Sequence, residues 1–107
     1  MTKENQNIKI LSIESSGPIC GVAISEDERL IAEYSIFNGN LHDKMLAELV
    51  RRILSDTSNS LEQIDAVAVS SGPGSFTGLR IGASIAKALC YNDHPKLIAV
   101  PTLTALA

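Results

Sequence analysis

The stretch SSGPGSFTGLRIG, residues 70–82, gathers the residue types from which phosphate loops and nucleophile turns are made: glycines, a proline, hydroxyls and a cation. Glycines ahead of a helix let backbone N–H groups converge on an anion. A phosphate loop of the GxxxxGK[ST] kind also needs a lysine and a magnesium-binding hydroxyl. Gly72 and Gly78 have the glycine spacing, but Leu79 and Arg80 follow where those groups belong. A dinucleotide GxGxxG fails because Thr77 stands in place of its third glycine. Nor does Gly72-Pro73-Gly74-Ser75-Phe76 put Ser75 in a GxSxG elbow, and no nearby histidine could serve it as a base. The plain reading is structural: Gly72, Pro73, Gly74 and Ser75 turn a strand into a helix, and Ser75 or Thr77 caps it.

The other candidates for chemistry are sparse. A two-metal nuclease site needs several carboxylates at strand ends. Glu14 ends the first strand and Glu48 lies on a helix, but the fourth strand ends in Ser70, Ser71 and Gly72, and Asp65 is at its opposite end. Glu14 is then either a solvated turn residue or part of the lining of a nucleotide cleft. His42 has Leu46 four residues on, so the helical His pair of a metal site is missing, and His94 sits in the turn NDHP. Cys20 and Cys90 have no CxxC spacing and read as two separate thiols. No metal and no cofactor is expected.

The helix after the glycine loop has a second feature. Gly78, Gly82, Ala86 and Cys90 recur every four residues and make a stripe of small side chains. Glycine inside a helix costs about 1 kcal/mol relative to alanine, so another backbone is expected to come close there. That backbone belongs either to this domain or to a helix of another subunit. Arg80 opposes the helix dipole in the first turn and is expected to meet an anion: a partner's carboxylate, a phosphate or an acid of this chain.

The elements that must position these residues follow from hydrophobic periodicity. Residues 8–13, 19–25 and 29–37 read as strands joined by short turns, an antiparallel meander. LHDKMLAELVRRILS (41–55) is an amphipathic helix with Asn40 as N-cap and Lys44, Glu48 and Arg52 along a charged face. Residues 64–71 form a strand, 77–91 a helix and 96–100 a strand. Strands one, four and five are apolar on both faces and are expected to be the parallel centre of a mixed sheet covered by helices. The order βββαβαβ is that of an α/β ribonuclease H-like fold, the half-unit of the actin-like ATPases.

The 107 residues suit one domain, 45% hydrophobic but only 4% aromatic, so its core is aliphatic. A net charge of -3 and a pI near 5.2 argue against broad nucleic-acid binding by this chain alone. The polar start MTKENQN suggests no secretory signal, and no apolar run is long enough to span a bilayer; a cytoplasmic protein is expected.

The loop SGPGSFTGLRIG, with ILSIESS, ICGVAIS, LHDKMLAELVRRIL and AVPTLTALA, resembles the TsaB (YeaZ) family. The resemblance covers the whole chain. It implies a non-catalytic subunit of the machinery that makes threonylcarbamoyladenosine in tRNA, an inactive relative of glycoprotease-like proteins. The catalytic sister, TsaD, carries an HxxxH metal pair; Leu46 fills the second position after His42 here. The implied partners are a TsaD-type subunit and a TsaE-type ATPase, with homodimers through the same helices, and tRNA reached only through the complex. The implied interface is Leu46, Leu49, Val50 and Ile53 on the first helix and Thr77, Gly78, Arg80, Gly82, Ile85 and Ala86 on the second. Two departures stand out. Glu14 replaces the family's usual Asp, and the chain corresponds to an N-terminal domain, residues 1–107, without the second family domain. Rival readings are a glycoprotease-like hydrolase and a stand-alone nucleotide-binding module.

Overall fold

The computed structural model describes residues 7–37 and 43–101. The elements are β1 (Lys9–Glu14), β2 (Ile19–Glu26), β3 (Arg29–Phe37), α1 (Asp43–Asp56), β4 (Ala66–Gly72), α2 (Phe76–Leu89) and β5 (Lys96–Pro101), with a 3-10 turn at Leu61–Gln63 before β4. The expected βββαβαβ order is present, with boundaries within two residues. The Asn40 cap, His42 and the run from Thr102 lie outside the described residues. The 3-10 turn sits in the polar segment between α1 and β4. Its signal was Ser60 followed by Gln63, whose Oε1 accepts from the Ser60 amide at 2.8 Å.

The five strands form one sheet in the order β3-β2-β1-β4-β5. β1 pairs antiparallel with β2 and parallel with β4, and β5 runs parallel to β4. One expectation needs correction: β5 is an edge strand, and its Leu97 and Ile98 are exposed. An apolar strand reads the same whether both its faces are covered or merely available for cover.

One face of the sheet carries the core. Leu11 and Ile13, Val22 and Ile24, Val67 and Val69 are cross-strand neighbours that pack under Leu46, Val50 and Ile53 of α1 and Ala86 of α2. Burying each such aliphatic side chain is worth about 1.5–3 kcal/mol, and this packing holds both helices on one side. On the charged side of α1, Glu48 pairs with Arg51, one turn away, rather than with Lys44 or Arg52.

Candidate functional site

The glycine loop is tied to the end of β1. Gly72 takes φ of 108°, a backbone shape that side chains resist, and precedes a cis peptide to Pro73. The Ser75 amide donates to the carbonyl of Ser16 at 2.7 Å, and the Ser75 hydroxyl accepts from the Gly78 amide at 3.3 Å. Ser75 is therefore the N-cap, and Thr77 is the second residue of the helix.

The small-residue stripe meets a backbone, but it is this chain's own. Ser15 is buried, and its hydroxyl donates to the Gly78 carbonyl at 2.8 Å. A Cβ on Gly78 would stand 2.0 Å from the Ser15 carbonyl oxygen, and one on Gly82 would stand 2.3 Å from the Ser15 hydroxyl. Ala86 continues the stripe into the core. Gly78, Gly82 and Ala86 face the β1–β2 turn and the sheet, and Leu46, Val50 and Ile53 are buried against the strands, so within this chain all six serve its own packing. Leu49 and Ile85 are partly buried against the same core. Thr77 and Arg80 remain on the surface.

Beside the loop, Glu14 gathers three donors. Its carboxylate accepts from the Ser16 amide at 2.9 Å and from the hydroxyls of Ser16 and Ser70. Burial pushes its carboxyl up, but the two hydroxyls and the amide outweigh that and hold it below the ordinary carboxylate value. Glu14 thus clasps the end of β1 to the end of β4, a role between the two considered for it. The partner Ser70 lies 56 residues away, a separation that local spacing cannot reveal.

Arg80 lies over the exposed ring of Phe76, 5.6 Å from its centroid. Among the described residues no carboxylate pairs with it, contrary to one of the options open for it. Phe76 itself was not singled out, although Phe76 and Arg80 are four residues apart, the spacing of helical neighbours. Cys20 and Cys90 are separate thiols, both pushed up by burial. His94 contacts the Glu62 carbonyl at 3.0 Å. Among the described residues, no three His, Cys, Asp or Glu side chains come together as a metal set, and no helix is long and apolar enough to cross a membrane.

The family model described as "TsaD: tRNA N6-adenosine threonylcarbamoyltransferase" matches residues 37–107. Curated relatives called "tRNA threonylcarbamoyladenosine biosynthesis protein TsaB" are similar across nearly all of the chain. The one from Haemophilus influenzae is 35% identical over 95% of this chain and 43% of its own length. The chain belongs to the TsaD family, on its TsaB (YeaZ) branch. A solved structure of YeaZ from Pseudomonas aeruginosa superposes with a TM-score of 0.80 at 29% identity, over 88% of this chain and 44% of that one. RuvC from Thermus thermophilus, 11% identical over 90% of this chain and 66% of its own, superposes at 0.57 and shares the ribonuclease H-like fold. The chain spans less than half the length of the TsaB relatives that it matches.

Proposed function

We propose that this chain acts as a non-catalytic subunit in threonylcarbamoylation of adenosine in tRNA, docking a TsaD-type catalytic partner. The observation that carries the reading is the likeness to proteins named for TsaB biosynthesis of that nucleoside, at 33–35% identity over more than nine-tenths of the chain in three of them. A scaffold role also accounts for the chemistry at the glycine loop. The Ser75 amide is taken by the Ser16 carbonyl, the Ser75 hydroxyl caps Gly78, and the neighbouring Glu14 carboxylate is already held by three donors.

In this reading the contact surface is the outer face of α2, where Phe76, Thr77 and Arg80 are exposed, with Ile85 of α2 and Leu49 of α1 partly buried against the core. Aromatic and arginine side chains are the usual anchors of such contacts. The partner would supply an apolar pocket for Phe76 and a carboxylate for Arg80. A homodimer through the same face is the competing assembly, and a TsaE-type ATPase would join outside it. The chain would work in the cytoplasm as one lobe of a longer subunit.

Size-exclusion chromatography with light scattering tests the reading. The chain mixed with a TsaD-type protein should elute as a complex, and the pair Phe76→Ser with Arg80→Glu should abolish it while leaving the circular dichroism unchanged. A wild-type chain that stays apart from that protein overturns the proposal.

A further inference from the structure

Charge is divided unevenly between the two layers of the fold. The chain has nine lysines and arginines and twelve acids, for a net charge of -3. Five of those cations, Lys44, Arg51, Arg52, Arg80 and Lys87, lie on α1 and α2, with only three of the acids, Asp43, Glu48 and Asp56. The three-stranded meander has the opposite balance, with Glu14, Glu26, Asp27, Glu28 and Glu33 against Lys9 and Arg29. Both helices pack on one face of the sheet, so the cations share a surface.

The acids of the helices are already in use. Glu48 pairs with Arg51. Asp56 accepts from the Tyr34 hydroxyl of β3. Asp43 accepts from the Lys44 amide at 2.9 Å. Lys44, Arg52, Arg80 and Lys87 are exposed, and among the described residues none of them forms an ion pair. Their placement follows from topology. β3 and β4 both run parallel to β1, and each helix returns from the end of one of them, so α1 and α2 point the same way. Lys44 and Arg80 then stand toward one end of the helical layer, and Arg52 and Lys87 toward the other.

A nucleic acid fits this surface poorly. Phosphate backbones are met by basic faces on basic domains, whereas Glu48 lies among these cations and the chain as a whole is acidic. Phe76, 74% exposed, is on the same helix as Arg80 and Lys87. Apolar groups within a charged rim are the anatomy of a protein contact.

We infer that the partner in the docking role proposed above, on which this step rests, presents an acidic surface to α1 and α2, with carboxylates for Lys44, Arg52, Arg80 and Lys87 around the site that takes Phe76. Complementary charge then sets the rate of encounter and the choice of partner.

Salt tests it. Binding of the chain to a TsaD-type protein is followed by isothermal titration calorimetry from about 0.1 to about 1 M NaCl, where the screening length falls from about 10 to about 3 Å. Affinity should drop at least about tenfold across that range. The pair Lys44→Glu with Lys87→Glu, at exposed positions, should bind at least about tenfold more weakly in low salt with an unchanged circular dichroism spectrum, and the gap should narrow in high salt. A complex whose affinity ignores salt, or that the pair leaves intact, overturns the acidic partner and leaves the docking role standing. No complex at any salt concentration removes the docking role itself and the acidic partner with it. Transfer RNA that binds the chain alone, and fails to bind the pair, would assign the cations to phosphate and also overturn the inference.

Discussion

The two faces of α2 have opposite characters. The inner face is built from residues with almost no side chain, Gly78, Gly82 and Ala86, and meets the Ser15 turn within hydrogen-bonding reach. The outer face carries Phe76, 74% exposed, with Arg80 stacked on it. A run of small residues is therefore a sign of close packing without saying whose backbone is packed. Here the glycines serve the fold, and the conspicuous side chains face outward.

The sharpest way to break this comparison is to fill the inner face. Gly82→Leu drives a side chain into the Ser15 hydroxyl and toward Val69, and the turn bearing Ser15 is held by its own hydrogen bonds. Overpacking of this sort should cost about 3 kcal/mol or more, read as a lower urea midpoint or loss of cooperative unfolding. A midpoint within error of wild type would return the stripe to the surface. Next comes Ile53→Ala, at a fully buried position under the sheet. It should cost about 2–5 kcal/mol by transfer and cavity formation, with the slope of the urea transition unchanged.

How much of this was legible in the sequence differs by element. The stripe on α1 was, because 3.6-residue periodicity places Leu46, Val50 and Ile53 on one side and each of them is buried. Element order was legible for the same reason. What the helix faced was not. Spacing within α2 identifies Gly78 and Gly82 as neighbours of each other, but Ser15, which lies 63 residues before Gly78, fills the space. Glu14 illustrates the same limit, since its clasp depends on parallel pairing of β1 with β4. The edge position of β5 was hidden by its composition, because apolar residues on both faces suit a central strand and an edge strand equally until the sheet order is known.

The Glu14 clasp offers a smaller and more diagnostic effect. Its folded-state carboxyl lies below its ordinary value of 4.5. Such a group stabilises the fold above the unfolded value, and that contribution disappears as pH falls through the folded one. Glu14→Gln should therefore cost about 1 kcal/mol near neutral pH, modest because the carboxyl is only partly buried and is screened by solvent. The gap between variant and wild type should close below pH 4.5. A gap that holds constant into acid would mean that the side chain acts by shape and not by charge.

The smallest effect on stability is expected on the outer face, the proposed docking surface. Arg80→Ala removes a cation from near the N-terminus of a helix whose dipole disfavours it there. It also breaks a contact with a ring that is already in water. The two changes oppose each other, so the thermal midpoint should stay where it is. Binding to a TsaD-type protein should nevertheless weaken at least tenfold in isothermal titration calorimetry, because an arginine that stacks in the free chain keeps its guanidinium N–H groups available for a carboxylate in the complex. If instead the midpoint falls and binding is untouched, Phe76 and Arg80 belong with Gly82 as parts of the fold, and the outer face of α2 loses its distinction from the inner one.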